Sequence, residues 1–318
     1  MQRRRLIINT DAKNEADDQF AIVQGLLSPS LDIRGIIPAH FGTSRTLSSR
    51  AESREEVDFL LDHLRLRDNI VVADGADVAL PDEFTAVPSA GSRLIIDEAF
   101  ASDDRLFVAF LGPLTDMASA ILEEPSIQDR DVVVVWIGGP PYGGTVHEYS
   151  NEFNLSNDVH AANVVFSSRL TIWQIPMSVY TMVGVGYAEL AGRVRPCGKL
   201  GEYLTQQLID FNDAHGLNME YRTLGDSPAI GVVMNPSGAI WRDWPRRRFT
   251  DDCQMIPSDG GSILDGPLKP TRTVDADFVN RTVRVAESID SRWLLEDFFH
   301  KLDQFSKSIE AGGASGKI

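Results

Sequence analysis

The stretch Leu6-Ile7-Ile8-Asn9-Thr10-Asp11-Ala12-Lys13-Asn14-Glu15-Ala16-Asp17-Asp18-Gln19 decides how the rest of the chain is read. An apolar run suited to a buried strand passes without a break into a loop bearing the carboxylates Asp11, Glu15, Asp17 and Asp18. Open α/β sheets place their ligands beyond the carboxyl ends of the strands, so a first strand that ends in acid marks a site. Carboxylates crowded together repel unless a cation joins them. With oxygen donors alone and no His or Cys beside them, the fitting ion is hard, Ca2+ or Mg2+, and not zinc. Asp17 and Asp18 suit a second role as well: periodicity places a helix over 17–27, and acidic residues complement the N–H groups and dipole of its first turn.

Working outward, short β-branched runs alternate with amphipathic stretches. Strands are predicted at 5–9, 33–38, 69–72, 106–110 and 132–137, with helices at 17–27, 47–65, 91–101, 113–122 and 157–167. This alternation is the signature of an α/β fold, a central, mostly parallel sheet flanked by helices. The run Val132-Val133-Val134-Val135-Trp136-Ile137 is apolar at every position, as a strand buried on both faces must be, and belongs at the sheet centre. After about residue 175 the pattern loosens, with helices expected at 187–194, 200–215, 227–234 and 291–303 and extended pieces near 249–256 and 271–276. No Pro/Gly/Ser tract divides the halves, which predicts a single domain over 1–305. The small-residue segment 306–318 reads as a flexible tail.

Composition narrows the partners. Thirty Lys plus Arg against 46 Asp plus Glu leave a net charge of −16 over 318 residues, a field that disfavours nucleic acid and acidic membranes and favours a small-molecule partner. No apolar run approaches the ~18–20 residues that cross a bilayer, and the basic start is followed by only a short apolar run, so the expected location is cytoplasmic. Cys197 and Cys253 have neither disulfide-framework nor zinc spacing and read as reduced thiols.

The acidic segment resembles the N-terminal signature of the inosine-uridine preferring nucleoside hydrolase family, a strand ending in Asp followed by Pro-Gly-x-Asp-Asp. Asp11 and the pair Asp17-Asp18 match it, across a loop two residues longer. Three more segments match in order. Leu111-Gly112-Pro113-Leu114-Thr115-Asp116-Met117-Ala118 is similar to the family's Gly-Pro-Leu-Thr-Asn-x-Ala turn. Asn151-Glu152-Phe153-Asn154 with Asp158-Val159-His160-Ala161-Ala162 is similar to its Glu-Phe-Asn segment and the helix behind it, and Asp226 stands where the family has its distal acidic ligand.

The resemblance implies a calcium-dependent hydrolase that splits the N-glycosidic bond of ribonucleosides into free base and ribose, with one Ca2+ per subunit in a homodimer or homotetramer. It makes Asp11 a calcium ligand and the general base, and makes Asp18, Asp226 and the Leu111 carbonyl the other ligands from the protein. Asp17, Asn14, Glu152 and Asn154 then grip the ribose. The sequence departs from the pattern where many members carry a leaving-group acid, a His just before the distal Asp; here that position is Gly225. His40, beyond the second strand, and His147, in the loop before Glu152, are the candidate donors to the leaving base, although a single His is more often a satisfied structural or solvated residue. Tyr180, Tyr221, Arg222 and the run Trp241–Arg248 offer aromatic or cationic contacts to a base, or a plain surface segment.

Other enzyme classes fit poorly. Lys13 occupies the second Asp position of a haloacid-dehalogenase-like Asp-x-Asp, and neither Gly-x-Gly-x-x-Gly after the first strand nor a Gly-x-Ser-x-Gly elbow is present. The competing reading is a calcium-dependent ribose or carbohydrate binder of the same fold without turnover.

Overall fold

The computed structural model describes residues 3–143, 151–257 and 281–311. Five parallel strands come first, β1 (Arg4–Thr10), β2 (Leu31–Pro38), β3 (Leu106–Phe110), β4 (Val132–Ile137) and β5 (Thr171–Ile175). The strand Thr282–Ile289 adds parallel to β5, and Ala239–Pro245 closes the edge antiparallel to it. The seven lie in the order β2, β1, β3, β4, β5, Thr282–Ile289, Ala239–Pro245, so the all-apolar β4 is the central strand.

Alternation along β1 builds a core on each side of the sheet. Leu6 and Ile8 pack with helix α1 (Asp18–Leu26), helix α2 (Ser49–Leu64) and the helices Gly198–Ala214 and Ser291–Glu310. Ile7 faces α3 (Ala90–Ala101), α4 (Thr115–Glu123) and the helix Val159–Ser167. The chain leaves β1 toward β2, then crosses back to β3 on the other side of β1. That reversal opens a crevice beyond the carboxyl ends of β1 and β3, the ligand position of doubly wound sheets.

Several expectations need correction. Segment 69–72 is no strand: Val72 makes one isolated bridge to Ile36 before the chain turns to Gly75, whose N–H donates to the Pro38 carbonyl. The C-terminal helix runs to Glu310, past the tail boundary expected at 306, because Phe305 and Ser306 are buried against the core and Lys307 pairs with Asp303 one turn back. Expected extension at 249–256 is a two-stranded ribbon of Arg247–Phe249 and Met255–Pro257, while 271–276 lies outside the described residues. Both cysteines are buried free thiols. Among the described residues, no helix is long and apolar enough to cross a membrane.

Candidate active site

β1 ends at Thr10, and Asp11 follows with its carboxyl buried over the crevice. Gly112, at the end of β3, has to lack a side chain, since a Cβ there would meet Asp11 Cγ and Oδ1 at 2.8 Å. The loop after Asp11 closes on itself through the Asn14 N–H to the Asp11 carbonyl (2.8 Å) and delivers Asp17 and Asp18 to the start of α1. Neither accepts a capping hydrogen bond from its own helix. Instead Asp18 Oδ1 accepts from the Thr10 hydroxyl, and Asp17 Oδ2 accepts from the Gly225 N–H at 2.8 Å. Asp226 enters at the head of the helix Ser227–Met234, whose Pro228 suits the first turn.

One cavity is lined by Asp11, Asn14, Glu15, Asp17, Asp18, Leu111, Ile137, Glu152, Phe153, Asn154, Tyr180, Gly225 and Asp226. Carboxylate oxygens of Asp17, Asp18 and Asp226 lie within 4.8 Å of one another. Burial first, then mutual repulsion, pushes Asp17 up to about 7, and burial pushes Asp18 up to about 6. Asp11 and Asp226 are raised well above the ordinary carboxylate range by the same causes, and Asp226 and Asp18 are hydrogen-bonded to each other. Buried Asp11 Oδ2 has no hydrogen-bond partner. Orphaned acceptor oxygen, an all-oxygen donor set and uncompensated negative charge together fit a hard divalent cation, held by Asp11, Asp17, Asp18 and Asp226 in some combination.

The remaining expected residues divide. The Leu111 carbonyl lines the cavity, and one of its lone pairs is taken by Asn154 Nδ2 at 2.6 Å; the same amide reaches the Ile137 carbonyl at 2.9 Å. Glu152 caps the short helix α5 (Phe153–Asn157). It accepts from the N–H groups of Gly139 (2.8 Å), Asn154 (3.1 Å) and Leu155 (2.8 Å) and from the Tyr180 hydroxyl (3.0 Å). Four donors use up the acceptor positions of a carboxylate, so Glu152 fixes the loop and does not grip a sugar itself.

His40 is not brought to the cavity. Its Nδ1 accepts from the Gly42 N–H at 3.2 Å, so Nε2–H donates to Thr115 Oγ1 at 2.8 Å, and Thr115 donates onward to Asp158 at 2.7 Å. Burial pushes its pKa down to about 4 and keeps it neutral, and it borders a separate cavity beside Asp77 and Asn157. His147 lies outside the described residues. Among the described residues, no Lys, Arg or His lines the carboxylate cavity.

Trp241–Arg248 falls mostly on the edge strand and away from the cavity. Arg246 is buried and donates to the carbonyls of Phe166 (3.2 Å), Ser168 (2.5 Å), Leu170 and Thr282 (3.1 Å), tying the edge of the sheet to the end of the Val159–Ser167 helix.

Sequence reasoning offered Tyr180 only as one of several aromatic or cationic contacts to a base. It sits in a four-residue helix after β5, and its ring fills the space beside Gly225: a Cβ there would meet Tyr180 Cδ2 at 3.0 Å and Asp17 Oδ2 at 3.2 Å. No local pattern signals that packing.

Residues 6–296 match the model of the inosine-uridine preferring nucleoside hydrolase family, and the chain belongs to that family of N-ribosyl hydrolases. Among individual relatives, the pyrimidine-specific ribonucleoside hydrolase RihB of Escherichia coli strain K12 is 25% identical, over 92% of this chain and 95% of its own. In solved structures the fold is shared with a plant nucleoside hydrolase, the PpNRh1 enzyme, at TM-score 0.73 and 17% identity over 94% of this chain and 99% of that one. A purine-preferring ribonucleoside hydrolase from Gardnerella vaginalis gives TM-score 0.72 and 21% identity over 96% of this chain and 99% of its own.

Proposed function

We propose that the protein is a calcium-dependent hydrolase that cleaves ribonucleosides to free base and ribose. The observation that carries this reading is the buried, unpartnered Asp11 Oδ2 beside three clustered carboxylates at the switch point of the sheet. Bound there, calcium supplies the positive charge that keeps these carboxylates ionised and polarises water and sugar hydroxyls. Asp11 takes the proton of the attacking water. Asp17 accepts from the 2-hydroxyl, and Asn154, whose amide nitrogen is held by two carbonyls, keeps Oδ1 for another hydroxyl. Glu152 and Tyr180 hold Phe153 and Asn154 in place. The ionised carboxylates beneath the sugar stabilise the positive charge that develops on it as the base departs.

With no Lys, Arg or His among the described lining residues, leaving-group quality governs rate. The test is release of ribose from inosine, uridine, adenosine, cytidine and p-nitrophenyl riboside, before and after EDTA treatment and after calcium is restored. Calcium-restored release, fastest for p-nitrophenyl riboside, is expected. The missing acid at Gly225 also favours a second reading, a ribose binder without turnover. Calcium-dependent ribose binding with no release from any substrate replaces the hydrolase by that binder.

A further inference from the structure

The longer acidic loop adds a lip to the cavity, and each of its two lip residues is held by an arginine from elsewhere. Arg45 donates to Asn14 Oδ1 at 2.6 Å and lies over the Phe153 ring at 5.3 Å. Arg222, from the strand Tyr221–Thr223, pairs with Glu15. Glu15 is 38% exposed, whereas Asp11, Asp17, Asp18 and Asp226 are all buried, so Glu15 stands at the mouth of the same cavity. Arg222 is largely buried, with its guanidinium 4.5 Å above the Phe211 ring. Its Nε has no partner and its Nη1 reaches Asn212 Oδ1 only at 3.5 Å. Glu15 is therefore the acceptor that occupies this cation.

We propose that Glu15 is a specificity-determining residue which, by occupying Arg222, makes the site select uncharged ribosides and exclude phosphorylated ones; this rests on the hydrolase reading for the identity of the ligand. A ribosyl group whose hydroxyls reach the buried carboxylates turns its far carbon toward the lip. A neutral hydroxyl there donates to Glu15. A phosphate meets a carboxylate at the rim with more negative charge behind it, while Arg222 is already neutralised and Arg45 is turned onto Asn14. Without the Glu15 charge, the Arg222 nitrogen that Glu15 held loses its carboxylate and is left for the next acceptor at the lip, and a guanidinium is the group best shaped to hold phosphate.

The test is calorimetric titration of ribose and of ribose 5-phosphate into the calcium-loaded full chain, comparing wild type, Glu15→Gln, Glu15→Ala and Glu15→Gln/Arg222→Gln, with a melting curve for each. Wild type is expected to prefer ribose at least tenfold. Either Glu15 variant should shift the ratio tenfold or more toward the phosphate, and the double variant should lose that gain. Equal weakening for both sugars in the Glu15 variants, a gain that survives in the double variant, or a wild type that fails to prefer ribose overturns the proposal. Ribose release from p-nitrophenyl riboside by the same wild-type preparation reports separately on turnover: no release alongside the expected binding shifts sinks the hydrolysis reading and leaves the role of Glu15 standing.

Discussion

Asp11 is held where a carboxylate is costly, buried against Gly112 with one oxygen unpartnered and like charges around it. Such strain persists where function requires it, so stability and activity are opposed at this residue. Asp11→Asn keeps the shape and removes the charge. Turnover is expected to fall at least ~10³-fold, while the calcium-free protein melts at a higher temperature than wild type. A variant that keeps a tenth of wild-type turnover removes Asp11 from the role of base. His40 has the opposite character. Its folded pKa of about 4 lies below the ordinary value of about 6.5, so between those limits the unfolded chain binds more protons. Its contribution to stability is full above about pH 6.5 and is lost as pH falls toward 4. His40→Gln should flatten that part of the urea-stability profile and slow inosine and p-nitrophenyl riboside by the same factor; a loss confined to inosine would restore His40 as the acid. At Gly225, an added methyl has to displace Tyr180 or Asp17, and Gly225→Ala should cost about 1–3 kcal/mol in chemical denaturation.

Among the elements, those whose signal is local were legible and those that depend on distant partners were not. β4 announces itself because a strand covered on both faces has no polar position, and the acidic loop does so because crowded carboxylates have few other uses. Thr282–Ile289 passed unread: it alternates weakly and becomes a strand through β5 and the edge strand, both far earlier in the chain. Segment 69–72 has strand composition but only one bridge to support it. In the site, Asp11, Asn14, Asp17, Asp18, Glu152, Asn154, Leu111 and Asp226 come together as expected, since each is carried by a motif at a strand end. Tyr180 and Arg222 were named only as candidate contacts to a base, because their partners Glu152 and Glu15 lie far off in the chain, and His40 was misplaced because a strand end does not say which way a side chain turns. Glu152 acts at this scale too, holding α5 through four hydrogen bonds. Glu152→Ala should cost about 1–3 kcal/mol by leaving buried N–H groups unpaired, and should lower turnover on every riboside alike, measured by urea denaturation and ribose release.

For the whole molecule, the acidic cluster sets how stability responds to pH and metal. Asp17 and Asp18 titrate near 7 and 6 when folded, against about 4 in an unfolded chain. Across that interval the folded state binds more protons, so the calcium-free protein loses stability as pH rises from about 4 to about 7. A calcium ion bound among these carboxylates would have to expel those protons, and the rise in Tm on adding calcium should be larger at pH 8 than at pH 5. An equal or larger rise at pH 5 contradicts this. The chain order of the cluster carries a further consequence. Asp11 directly follows the first strand and Asp226 heads a helix early in the last third of the chain. At a synthesis rate of about 5–20 residues per second, roughly 10–40 s separate the two on a ribosome. Two of the sheet's seven strands, Ala239–Pro245 and Thr282–Ile289, are still to come when Asp226 emerges, so the four carboxylates meet only in the last stage of synthesis.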